Sequence, residues 1–300
     1  MTQRHLGPEV GTPTRLGASD QRQPATSDDD GWVVSPAPRS APAYLAKELW
    51  AYREMVFFLA VRDLQVRYKQ ATFGVLWAVL QPLAGAAVFV VVFSRLAGIE
   101  SDGLPYLVFA FLGYSVWTYF ASSLAGANAG LVTNSALVTK VYFPRLAAPL
   151  SSVLPRLVDL TIALGMTGVL MVVLGVAPGW QLLTLPVWMA SVALLAFGVG
   201  TMLATLNVKY RDALFAVGLL TQLWLFASPV AYPSSLVPQA WQAAYHLNPM
   251  AGVLEGFRWS VLGGRPPGTT ALLSLLVGLL LVCGGVAYFT RSERRFADVI

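Results

Sequence analysis

Six stretches of this chain are apolar enough to cross a lipid bilayer: 74–94, 106–126, 146–176, 183–206, 214–232 and 270–289. A helix rises about 1.5 Å per residue, so about 20 apolar residues span the hydrocarbon core. In that core each backbone polar group needs a partner within the chain, which a helix supplies. The third run is long enough to tilt or to begin before the membrane. Only 12% of residues are charged, where a soluble domain has about 25%. The expected fold is therefore an all-α integral membrane protein with six transmembrane helices, over residues 44–300. The first 43 residues are rich in Pro, Ser, Thr, Gly and Asp and hold no apolar segment. They read as a disordered cytoplasmic tail, with no apolar stretch that would make a secretory signal.

Charge sets the expected orientation, because basic residues concentrate on cytoplasmic connections. Arg53, Arg62, Arg67 and Lys69 precede the first span, and Lys140 and Arg145 sit between the second and third. Lys209 and Arg211 lie between the fourth and fifth, and Arg291, Arg294 and Arg295 follow the sixth. Opposite them stand Arg95 with Glu100 and Asp102, then Arg258 and Arg265. Both termini are expected in the cytoplasm. Before the first span, Leu45, Leu49, Tyr52, Val56 and Leu59 recur at helical spacing, with Lys47, Glu54, Arg62 and Gln65 on the other side. That pattern predicts an amphipathic helix lying in the interface plane, with Arg62, Arg67 and Lys69 facing anionic headgroups; an ordinary buried helix is the alternative, less favoured because no soluble core lies nearby. Asp63 interrupts its apolar stripe.

Ionisable residues inside spans are costly and mark function or pairing. Asp159 follows Arg156 by three residues, so an intramembrane pair on one helix face is expected. Glu255 and Arg258 are the other two, in the last connection. So few charges argue against a proton-coupled transporter or an ion channel with a charged ring. That last connection is nearly apolar but broken by Pro229, Pro233, Pro238 and Pro249. Two short helices dipping into the outer leaflet, near 239–246 and 249–262, fit it, and such backbone persists only when buried or lining a cavity. No HExxH, GxSxG or phosphate-loop motif is present, and His5 and His246 suggest no metal site. The single Cys283 lies in an apolar run, leaving no disulfide framework. ATP, if used, comes from another chain.

Four blocks in order carry a resemblance. "RDLQVRYKQATFGVLWAVLQPL" opens the first span, "NSALVTKVYFPRLAAPLSSVL" follows the second, and "SPVAYP" and "LNPMAGVLEGFRWSVLG" separate the last two. Together they resemble ABC-2 type transport permeases, in particular bacterial exporters of polysaccharides and lipid-linked glycans. The resemblance implies a non-catalytic subunit of the bacterial cytoplasmic membrane. It acts as a homodimer with two copies of a separate ATPase, which holds the ATP and Mg; this chain binds no cofactor or metal. It implies that the helix over 44–70 and a short cytoplasmic coupling helix dock on that ATPase, the latter through Asn134, Leu137, Lys140, Phe143, Pro144 and Arg145. It also makes Ser228, Pro229, Tyr232, Asn248 and Pro249 parts of an outer gate.

In such permeases the first span faces the transport path, so Pro82, which frees a carbonyl, and Gln81, which can bond across helices, could open or seal it. A purely structural kink is equally consistent with Pro82. Aromatic residues crowd the first two spans and suit a sliding sugar polymer, although an interfacial aromatic belt accounts for many of them. Trp77, Gln81, Tyr114, Trp117 and Tyr119 are the expected path residues. The implied cargo is a polyprenyl-diphosphate-linked glycan of O-antigen, teichoic acid or cell-wall galactan type. The alternatives are export of a small drug or lipid, a non-transporting membrane scaffold, and a membrane glycosyltransferase.

Overall fold

The computed structural model describes residues 42–69, 74–133, 144–210, 212–263 and 265–293. Among them all regular structure is helical: α1 Pro42–Ala51, α2 Arg53–Lys69, α3 Trp77–Phe89, α4 Tyr106–Thr133 and α5 Ala147–Val173. The order continues with α6 Leu185–Lys209, α7 Ala213–Ala227, α8 Gln239–Tyr245, α9 Pro249–Leu262 and α10 Thr269–Ser292. Five helical segments in the described residues are long and apolar enough to cross a membrane: Trp77–Leu96, Tyr106–Leu131, Ala147–Val173, Trp180–Lys209 and Thr269–Ser292. The run expected as the fifth span forms the shorter apolar helix α7. It stops at Ala227 because Pro229 disfavours helical backbone at Ser228, which is extended at φ −108° and ψ 152°.

The buried centre is α4, which packs on α3, α5, α6, α7 and α9. Phe111, Leu112, Phe120, Leu124 and Leu131 on it are essentially inaccessible. Lipid tails are as apolar as leucine, so close backbone approach rather than water exclusion holds such helices together. Small residues make that approach possible. A Cβ on Gly200 of α6 would stand 2.6 Å from the Ala127 Cβ of α4, and one on Gly252 of α9 would stand 2.8 Å from the Ser274 Cβ of α10. The outward surface keeps Val88, Leu96, Val172, Leu183, Phe215 and Leu279 exposed, as a lipid-facing surface requires.

Within α3, Pro82 is buried, and at Val90 the helix widens into a π-helical segment, Val90–Leu96. The first span thus carries a second irregularity that no proline or glycine in the run announces.

Connections on one side of the bundle meet at one end. Ser235 Oγ donates to Asp102 Oδ1 at 2.9 Å, Tyr106 donates to the Ala231 carbonyl, and the Trp180 and Trp259 rings stand 5.9 Å apart, edge to face. At the opposite end, Arg145 donates to the Glu293 carbonyl, and Asn207 Nδ2 donates to the Asn128 carbonyl at 2.9 Å.

The expected single amphipathic helix is broken at Tyr52 into α1 and α2. Its stripe does not turn to lipid. Val56 and Leu59 are buried, with α2 packed along α5, and Leu49 packs on the same core. The opposite side leaves Trp50, Phe57 and Phe58 exposed, and Val66, seven residues beyond Leu59 on the same side, is exposed too. A one-sided stripe specifies an apolar neighbour without saying whether that neighbour is lipid or protein, and here α5 takes it.

Candidate functional site

A cavity of about 340 Å³ opens between α2, α3, α4 and α5. Trp77, Ala78, Gln81 and Pro82 line it from α3; Ser115, Thr118, Tyr119 and Ser122 from α4; Arg67 and Tyr68 from α2; Asp159 from α5. The α4 residues share one face because their spacings of three, four and seven match the helical repeat. Pro82 has no N–H to give to the carbonyl four residues earlier, and that residue, Ala78, lies in the cavity wall. Ser115 Oγ donates to the Phe111 carbonyl at 2.7 Å and Ser122 Oγ to the Tyr119 carbonyl at 3.1 Å. Each hydroxyl therefore spends its proton on its own helix and keeps oxygen lone pairs to accept from an occupant. The indole of Trp77, about half exposed, supplies an apolar flank. This is a polar notch in an apolar wall, suited to hold or pass hydroxylated groups.

At its edge, Asp159 accepts from Arg67 at Oδ2 and from Tyr68 at Oδ1. The expected pair of Arg156 with Asp159 is thus corrected: the carboxylate turns to α2. Arg156 instead lays its guanidinium over Gly126 of α4, where no Cβ blocks it, and donates to the Ser152 carbonyl. Burial, then donation to Asp159 and its negative charge, push the Tyr68 phenol up to about 12, against an opposing pull from Arg67. With both oxygens engaged, Asp159 is a tie between α2 and α5.

Of the five expected path residues, Trp77, Gln81 and Tyr119 line this cavity. Tyr114 and Trp117 are placed elsewhere. Tyr114 packs edge-on to Phe89 at 5.4 Å and lies over Gly85. Trp117 is buried in a cluster with Phe120 and Trp224, at 5.6 and 6.3 Å. An aromatic within an apolar helix does not announce which side it faces, and packing claims these two. Ser115, Thr118 and Ser122 were missed, although their spacing was the signal that would have found them.

Asn134, Leu137, Lys140 and Phe143 lie outside the described residues. Pro144 is buried, and Arg145, expected as an exposed docking residue, is held inward by Glu293 at the end of α10. Burial raises the Glu293 carboxyl, with Arg145 pulling the other way. On α2, Arg62 pairs with Asp63 at 3.0 Å, Arg67 with Asp159, and Lys69 is exposed.

Of the expected gate residues, Ser228 and Asn248 bond each other, with Pro229 and Pro249 next to them in the chain, while Tyr232 is held by Phe226 and Tyr245. Ser228 is buried and donates to the Trp224 carbonyl at 2.9 Å, Pro229 is buried beside it, and Tyr232 donates to the Phe226 carbonyl at 3.0 Å. Asn248 caps α9: its Oδ1 accepts from the Met250 N–H at 3.0 Å and from Trp224 Nε1 at 2.8 Å. Its Nδ2 donates to the Ala227 carbonyl at 3.1 Å and to Ser228 Oγ at 2.8 Å. Pro249 occupies the first helical position, and Gly263 closes α9 in left-handed backbone at φ 70°.

No cluster of three or more metal-ligating side chains occurs among the described residues. The fold is that of an all-α, multi-pass integral membrane protein with a polar notch between its long helices. The ABC-2 type transporter model matches residues 54–262, and the chain belongs to that family, as a permease subunit. It is similar to the O-antigen export system permease protein RfbA of Myxococcus xanthus, 29% identical over 85% of this chain and 99% of that protein. The protein of the same name from Klebsiella pneumoniae is 25% identical over 82% and 95%. The polysialic acid transport protein KpsM of Escherichia coli is 22% identical over 78% and 92%.

Proposed function

We propose that this chain is the membrane subunit of an ABC exporter. It moves a polyprenyl-diphosphate-linked polysaccharide from the cytoplasmic to the outer face of a bacterial cytoplasmic membrane. The observation that carries this reading is the joint one of family and cavity. Two relatives matched over nearly their full length bear O-antigen export in their names, and the α2–α5 cavity presents hydroxyls and an indole, the groups that suit sugar. In this account α7 is a short fifth span and α10 the sixth, both termini are cytoplasmic, and α8 and α9 are re-entrant helices of the outer gate. The outward face of α1 and α2, with Trp50, Phe57 and Phe58, meets the inner headgroup region. Two copies of the chain join two copies of a separate ATPase, which carries ATP and Mg. The segment 134–145 couples to it, with Arg145 anchoring that segment to α10 rather than reaching the partner.

Closure of the ATPase pair moves the coupling segments, parts the two permease protomers, and admits the glycan from the inner leaflet. The test is reconstitution of the chain with its ATPase in proteoliposomes loaded with isotope-labelled polyprenyl-linked glycan. ATP-dependent appearance of label at the opposite leaflet supports the reading. ATP-dependent movement of a small amphiphilic dye, with the glycan left in place, replaces it by small-molecule export.

A further inference from the structure

The end of the bundle holding Asp102 contains a second cavity, of about 370 Å³, between the connection after α3, helices α8 and α9, and the loop before α10. Its volume is in the range that encloses small ligands. Arg258 of α9 lines it and is only 7% exposed. The guanidinium carbon lies 3.6 Å from the Phe109 ring centroid, and Nη2 donates to the Val230 carbonyl at 2.8 Å. Its Nε has no acceptor among the described residues, nor does a carboxylate stand within ion-pair distance there. That Nε is sealed from solvent, so an occupant meets only the part of the guanidinium that reaches the cavity; a buried cation with no carboxylate beside it is costly unless something supplies an acceptor there.

The groups around it are of mixed sign. His246, 3% exposed, has Nδ1 2.8 Å from the Gln242 carbonyl oxygen and Nε2 3.2 Å from Glu255 Oε1. Asp102 and Arg265 add one charge of each sign, and Trp259 contributes an indole held edge-on by Trp180. A simple anion would gain from Arg258 and Arg265 and be repelled by Asp102 and Glu255. Sugar hydroxyls satisfy both kinds of group, because each donates to a carboxylate while accepting from a guanidinium. The indole offers a surface for the C–H face of a ring.

We propose that this cavity is a saccharide-binding site at the outer end of the permease, with the Arg258 guanidinium and the Glu255 carboxylate as its polar floor. The proposal rests on the glycan-export reading above, and it gives emerging polymer a foothold against the outer gate.

Saturation-transfer NMR on the full chain with its ATPase, in lipid nanodiscs, tests it. The probes are the methyl glycosides of mannose, galactose, rhamnose and N-acetylglucosamine, with inorganic phosphate as the anionic probe. At least one glycoside is expected to receive transfer. Its affinity is expected to fall roughly tenfold or more in Arg258→Gln, the loss of a charge-assisted hydrogen bond, and measurably in Arg265→Gln. Arg265 is exposed, so the second variant keeps the test valid if the first fails to fold. Absence of transfer to every glycoside overturns the site, as does transfer unchanged in Arg265→Gln and in a folded Arg258→Gln. Binding of phosphate alone overturns the saccharide class. The export reading is judged separately, by the lipid-linked glycan pool after depletion of the chain. A swollen pool with no glycoside binding removes this site and leaves export standing.

Discussion

Replacing Asn248 by alanine should loosen the join between α7 and α9 more than any other single change at the gate. The side chain makes four hydrogen bonds: it caps α9 at Met250, holds the Trp224 indole, and donates to Ala227 and Ser228. Loss of a helix cap costs about 1 kcal/mol. Each of the other three bonds contributes roughly 0.5–1.5 kcal/mol, toward the low end where the groups are partly exposed. The expected destabilisation is therefore about 2.5–4 kcal/mol. Asn248→Asp keeps both accepted bonds, strengthened by charge, but loses the two donated ones and sets a carboxylate oxygen against the Ala227 carbonyl, so its cost should approach that of alanine. The assay is reversible unfolding of the full chain in mixed micelles, read by tryptophan fluorescence, because Trp224 reports the site. A change within about 0.5 kcal/mol for Asn248→Ala, the range of an unremarkable surface substitution, would refute the reasoning.

Gly113→Ala places a Cβ 2.7 Å from the Val230 carbonyl oxygen and 2.9 Å from Arg258 Nη2. It should cost about 1–3 kcal/mol by overpacking, measured by the same unfolding assay; a stabilised variant would contradict the close approach. Tyr68 has its phenol pushed from the ordinary value of 10 up to about 12. A raised folded-state value means its contribution is complete below pH 10 and is lost as pH rises through 12. The stability difference between the wild type and Tyr68→Phe should accordingly be flat from pH 7 to 10 and shrink above that. A difference that stays constant to pH 12 would show that burial and Asp159 do not raise the phenol in the folded chain. Thr118→Val keeps the side-chain shape and removes a cavity hydroxyl, so the rate of glycan transfer in proteoliposomes should fall roughly two- to tenfold, one hydrogen bond's worth. An unchanged rate would take the α2–α5 cavity out of the transport path.

The long helices were legible because hydropathy over 20 residues is decided by the bilayer and by little else. Helix α9 was legible too, since Asn248 and Pro249 start it and Gly263 ends it by local backbone chemistry. What failed depended on distant partners. Asp159 has a basic neighbour three residues away, yet its partners Arg67 and Tyr68 are 92 and 91 residues distant. The stripe at Val56 and Leu59 was correctly apolar and wrongly given to lipid, because periodicity identifies a face and not its neighbour. Trp117 shows the same limit inside a span. The serine and threonine face of α4, at 115, 118 and 122, is readable from its helical spacing alone.

Depletion of the chain in its host, followed by extraction and sizing of polyprenyl-linked glycans, tests glycan export most directly. The account predicts that full-length polymer accumulates on its lipid inside the cell while polymer at the surface falls. Lipid-linked glycans of unchanged amount and length, with surface polymer intact, would contradict it.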